Sequence, residues 1–152
     1  IHSFPTRRSS DLGKSYEIYK STAERLHVAD KVIFPGFIPL EHMPIFYSAC
    51  EVFVYPSLYE GFGLPPIEAM ASGVPIIASN LTSIPEVVGN AALLINPYNI
   101  DELYEAMKRV LEDPLLKANL INKSLIRSSK FSWLKTAQET VKAFETIAGC
   151  KR

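Results

Sequence analysis

YPSLYEGFGLPPIEAMASG, residues Tyr55–Gly73, decides the fold. It begins inside VFVYP (Val52–Pro56), a short run of β-branched and aromatic residues that reads as a buried strand. Gly61 and Gly63 lack a Cβ, so the chain leaving that strand can turn sharply and bring backbone N–H groups close to a ligand. Pro65 and Pro66 then pre-set the backbone for the start of a helix. A helix start offers unpaired amides and about half a positive charge. Strand, glycine loop and helix start together make an anion cradle at the carboxyl edge of a parallel sheet. Two acids bracket the cradle. Glu60 precedes the loop, where a carboxylate can face a bound sugar. Glu68 is expected in the first turn of the helix, its side chain aimed back at the loop, where it can accept hydrogen bonds from both hydroxyls of a ribose. Each has a plainer reading alone: Glu60 as a solvated loop acid, Glu68 as a complement to the helix dipole worth about 0.3–1 kcal/mol.

Working outward, strand and helix patterns alternate. Tyr19, Ala23 and Leu26 recur at helical spacing and predict a helix over 14–27. VIFPG (Val32–Gly36) predicts a strand, and a short helix follows over 41–49, with Pro44 tolerated in its first turn. Ser72–Gly73 reads as the stop of the helix after the loop. PIIAS (Pro75–Ser79) and ALLINP (Ala91–Pro97) predict two further strands. Ser79, Asn80 and Thr82, just past a strand end, could touch phosphate or simply form a turn. After Pro97 the pattern is helical throughout. Asp101 is the expected cap of a helix with the stripe Leu103, Met107, Val110 and Leu111, ending at Asp113–Pro114. A second helix, over 115–127, is expected to bury Leu116, Leu120 and Leu125. Ser132 caps a third that carries Trp133, Ala137, Val141, Phe144 and Ala148 on one side as a structural stripe. Continuous apolar strands separated by helices predict a Rossmann-like, doubly wound parallel sheet with ligands at its carboxyl edge, followed by C-terminal helices.

Bulk properties narrow the function. The chain has 152 residues, 47% hydrophobic and 21% charged, which suits one globular domain. Lys plus Arg and Asp plus Glu both total 16, so nothing advertises a nucleic-acid partner. Cys50 and Cys150 form no CxxC or Cys/His cluster, and neither a metal site nor a disulfide framework is expected. No apolar run approaches the roughly 20 residues that span a bilayer. The expectation is a cytoplasmic protein, at most associated with the inner face of the membrane. His2, His27 and His42 have no nucleophile or acid beside them and read as ordinary surface residues. The opening IHSFPTRRSSDL lacks periodicity, and RSSDL matches one reading frame of a common sequencing adapter. Residues 1–12 are therefore expected to be non-native or disordered, with the native domain running over 13–152.

EGFGLPPIEAMASGVPIIAS resembles the E-x7-E signature of the retaining glycosyltransferases of family 4, the "group 1" family. VIFPGFIP, SACEVFVYPSLYEGFGLPPIEAMASG, SIPEVVGNAALLINP and KFSW resemble further phrases of that family, in its order, over about residues 13–148. The resemblance implies the C-terminal donor-binding domain of a GT-B fold, moving a hexose from a nucleotide diphosphate sugar to an acceptor hydroxyl with retention, without a cofactor or metal. It places Glu60 against the donor sugar near its reacting carbon. It brings the backbone of Gly61, Phe62, Gly63 and Leu64 to the sugar and diphosphate, sets Glu68 on the ribose, and lays the backbone around Phe37 and Ile38 beside the base. Pro85–Glu86 matches the family's PE motif and reads as support for the site.

The departures matter as well. The family's diphosphate-gripping Arg and Lys lie on a strand–helix unit that would precede residue 14, and Arg7, Arg8 and Lys14 do not match them. The expectation is a donor half that is inactive alone, with an acceptor glycan or glycolipid, and any peripheral membrane contact, belonging to a preceding domain. Two alternatives remain at this level: a sugar-nucleotide epimerase of the same architecture, and a non-catalytic Rossmann-like module.

Overall fold

The computed structural model describes residues 12–149, so the expectations for residues 1–11, His2, Arg7 and Arg8 among them, and for Cys150 lie outside them. Three strands, β1 (Phe53–Tyr55), β2 (Ile76–Ser79) and β3 (Ala92–Ile95), pair in parallel in the order β1-β2-β3. The register sets Phe53, Ile76 and Ala92 side by side, then Val54, Ile77 and Leu93. Seven α-helices accompany them among the described residues: α1 (Leu12–Arg25), α2 (Met43–Ser48), α3 (Leu64–Ala71), α4 (Ile84–Val88), α5 (Ile100–Glu112), α6 (Pro114–Ser128) and α7 (Trp133–Gly149).

The two-residue alternation of a strand sorts the core into two layers. Phe53, Ile76 and Ala78 pack with Tyr47, Ala69, Met70, Ile84, Val87 and Val88, under α2, α3 and α4. Val54, Ile77 and Ile95 pack with Ala106, Val110 and Leu120, under α5 and α6. Both faces of the sheet are covered, which is why its strands are apolar on both sides. No helix among the described residues is long and apolar enough to cross a membrane.

Several expectations need correction. Val32–Gly36 joins no sheet: Ile33 is 68% exposed, and Phe34 makes an edge contact with Tyr16 at 5.2 Å instead of lying in a ladder. Apolar runs report a tendency to be buried, whereas a strand exists only where a neighbour supplies hydrogen bonds. In α1 only Ala23 of the expected stripe is buried; Tyr19 and Leu26 are exposed. The stripe of α7 is uncovered: Trp133, Val141 and Phe144 are all exposed among the described residues. Leu111 and Leu125 are exposed too, because α5 and α6 rest on the sheet through Ala106, Val110 and Leu120.

The cap of α5 is Asn99 rather than Asp101; its side-chain oxygen accepts from the Glu102 amide at 3.1 Å. Asp113, read as a stop, also starts the next helix. Its Oδ1 accepts from the amides of Leu115 and Leu116, at 3.0 and 2.9 Å, at the head of α6. Asp113→Ala is expected to lower the unfolding free energy by about 1 kcal/mol, measured by urea denaturation. An unchanged midpoint would mean that α6 is held by packing alone.

Candidate functional site

The loop between β1 and α3 emerges at the carboxyl end of β1, as the sequence predicts. Gly63 is the N-terminal cap of α3 and adopts φ 102°, which side-chain-bearing residues avoid. A Cβ there would lie 2.7 Å from Cδ1 of Ile84, a fully buried side chain that would have to shift. At Gly61 a Cβ would meet nothing, so only the second glycine is required by the geometry. α3 then stops at Ser72, and Gly73 follows at φ 70°.

Glu68 lies beyond the first turn of α3, contrary to expectation, because the helix begins at Leu64. Pro65 and Pro66 have no N–H, so Leu64 and the loop supply the amide donors at this end.

Each acid is anchored by a tyrosine. The Tyr55 hydroxyl donates to Oε1 of Glu60 at 2.5 Å, and the Ser57 hydroxyl donates to the same oxygen at 3.0 Å. The Tyr47 hydroxyl donates to Oε2 of Glu68 at 2.9 Å. The rings of Tyr47 and Tyr55 both pack against Phe53, with centroids 5.3 and 5.9 Å from it. Burial, reinforced by the neighbouring carboxylate, pushes both phenols well above their ordinary range, and each stays protonated as a donor. The second oxygen of each acid receives no protein donor among the described residues. Both carboxylates are thus held from one side and able to accept from a ligand on the other.

Neither tyrosine was singled out from the sequence. Tyr55 ends its strand facing the carboxyl edge, a place where a polar tip beside an acid is informative. Tyr47, on α2, carries no such signal: only the packing of α2 on α3 brings it to Glu68. Of the residues that could touch phosphate or simply form a turn, Ser79 is fully buried and its Oγ accepts from the Leu81 amide at 3.1 Å, closing a turn. Thr82 is exposed and bonds to the loop. Its Oγ1 accepts from the Glu60 amide at 3.2 Å, while the hydroxyl of Ser83 lies 3.0 Å from the carbonyl of Glu60 and 3.1 Å from that of Phe62.

A second brace closes behind the loop. Arg127 donates through Nε to the Val87 carbonyl at 2.8 Å and through Nη2 to that of Glu86, taking up free carbonyls of α4. Its guanidinium lies 5.2 Å from the ring centroid of Phe131, which in turn meets Phe62 edge-on at 6.1 Å. The backbone of Glu86 is therefore a support, in keeping with the expected role of the PE motif. Phe37 is 81% exposed and Ile38 half-buried, on the segment leading towards α2. No ring contact or hydrogen bond among the described residues ties them to the loop or to Glu68.

The family described as "Glycosyl transferases group 1" matches residues 12–126. The O-antigen chain mannosyltransferase B of Escherichia coli is 40% identical over 112 residues, covering 74% of this chain and 29% of that protein. The serotype-specific mannosyltransferase WbdA of the same organism is 35% identical over 97% of this chain and 17% of its own length. The chain therefore spans less than a third of these relatives. Among solved structures, sucrose-phosphate synthase from Thermosynechococcus elongatus superposes with a TM-score of 0.84 at 31% identity, over 98% of this chain and 37% of that one. Anabaena HepE, solved with UDP and glucose, superposes with a TM-score of 0.82 at 23% identity over 90% of this chain and 38% of that one, a likeness of fold.

Proposed function

The chain belongs to the group 1 glycosyl transferases, and on that premise we propose that it forms the donor-binding part of a retaining hexosyltransferase using a nucleotide diphosphate sugar. The observation that carries this reading is the pair of tyrosine-anchored acids on either side of an amide-rich loop. Departure of the diphosphate builds negative charge on the leaving group and positive charge on the sugar ring. Amides of Gly61, Phe62, Gly63 and Leu64 suit the first, and the Glu60 carboxylate suits the second. Glu68 takes the ribose hydroxyls, with the backbone near Phe37 and Ile38 beside the base. The relatives' names favour mannose as the hexose, and favour transfer over the epimerase alternative. The acceptor, a glycan or glycolipid, is assigned to parts of the protein outside this chain, working at the cytoplasmic face of a membrane.

Calorimetric titration of GDP-, UDP- and ADP-sugars against wild type and Glu68→Ala tests the assignment. The variant is expected to bind about 1–3 kcal/mol more weakly, as for loss of a hydrogen bond to a charged group. Equal binding by both proteins would remove Glu68 from the ribose.

A further inference from the structure

We propose that Ser83 is a positioning residue whose single hydroxyl aims the amides of Gly61 and Gly63 at the diphosphate of the donor. The inference rests on the donor-site reading above and adds to it the group that orients the loop.

A serine hydroxyl has one proton to give. Here it stands within hydrogen-bond distance of two carbonyls on alternate residues, Glu60 at 3.0 Å and Phe62 at 3.1 Å. It therefore serves both as a shared donor and draws both towards α4. The peptide bonds are trans throughout the described residues. In a trans peptide the C=O and the N–H that follows point in opposite directions. The Glu60 carbonyl shares its peptide plane with the Gly61 amide, and the Phe62 carbonyl shares its plane with the Gly63 amide. Pulling the two carbonyls towards Ser83 turns both glycine amides to the opposite side of the loop. Neither amide donates to a protein acceptor among the described residues, although Gly63 is buried. A buried amide without a partner is costly in a folded protein, and an anion would satisfy it.

Thr82 sets the other end of the same segment. Its Oγ1 takes the Glu60 amide, so that N–H is occupied within the protein. Thr82 does this from φ 54°, a left-handed conformation unfavourable for a β-branched residue, which persists because the surrounding bonds hold it. Two adjacent hydroxyls thus sort the loop's backbone groups: one N–H and two carbonyls bonded to Thr82 and Ser83, two glycine amides turned to the opposite side. A serine that merely filled a turn would be content with one of these carbonyls.

The test uses the full 152-residue chain as wild type, Ser83→Ala and Ser83→Thr, titrated by NMR with UDP and GDP and with uridine and guanosine. Ser83→Ala is expected to lose about tenfold in affinity for the diphosphate that wild type binds. Its affinity for the matching nucleoside should be unchanged, since the ribose is held by Glu68. Ser83→Thr, which keeps the hydroxyl, should restore the diphosphate affinity. The Gly61 and Gly63 amide resonances should move in Ser83→Ala and return in Ser83→Thr. Equal weakening for nucleoside and diphosphate, or none for either, would overturn the positioning role while leaving the donor site standing. Failure of wild type to bind any of the four would overturn the donor-site reading and the role of Ser83 with it.

Discussion

Gly63→Ala is expected to lower the unfolding free energy by about 2–5 kcal/mol. Two separate effects contribute. The backbone stands at φ 102°, where a Cβ collides with its own chain, a cost of about 1–2 kcal/mol. The new methyl would also lie 2.7 Å from Ile84 Cδ1, and Ile84 is fully buried in the layer with Met70, Val87 and Val88. Overpacking of such a site costs about 1–3 kcal/mol. The melting temperature should fall by on the order of 10 °C, read by circular dichroism. Gly61→Ala is the control: its Cβ enters open space, and the effect should stay within about 0.5 kcal/mol. If the two variants melted together, the loop could not be seated against Ile84 as described.

On the donor-site reading proposed above, Glu60→Gln is expected to reduce kcat of an enzyme containing this chain by about 10²–10³-fold, the scale of losing one preorganised electrostatic group. The substitution removes charge but little shape. A glutamine carbonyl can still accept from the Tyr55 hydroxyl, so folding and donor affinity should hold while turnover falls. Separate measurement of kcat, KM and thermal stability distinguishes this from general damage. A variant that turned over normally would show that the carboxylate's charge does not stabilise the sugar ring in the transition state.

The strands at Phe53–Tyr55, Ile76–Ser79 and Ala92–Ile95 were legible because each is a short apolar run bounded by turn residues, and the central one is buried on both faces. Val32–Gly36 has the same composition and is no strand, since composition cannot say whether a neighbouring strand is present to pair with. In the site, Gly63 and Glu60 stood out through local chemistry. Tyr47 and Ser83 did not, and Thr82 was read only as a residue that could touch phosphate or form a turn. Ser83 lies 21 residues beyond the Phe62 carbonyl it meets, and Tyr47 lies 21 before Glu68. Neither spacing corresponds to a helical or strand period.

Alone, the order of residues determined the alternation of strand and helix, the place of the amide-rich turn at a strand's carboxyl end, and the start of α3. Those features depend on short-range causes: a missing Cβ at glycine, a missing N–H at proline, and apolar spacing within one element. Tertiary structure alone decided that Tyr47 and Tyr55, both packed against Phe53, grip the acids and that the hydroxyls of Thr82 and Ser83 orient the loop. It likewise decided that α7 leaves its apolar side uncovered among the described residues. A hydrogen bond requires two groups within about 3 Å, and for groups on different elements that distance is set by how helices and strands pack, which no local pattern encodes.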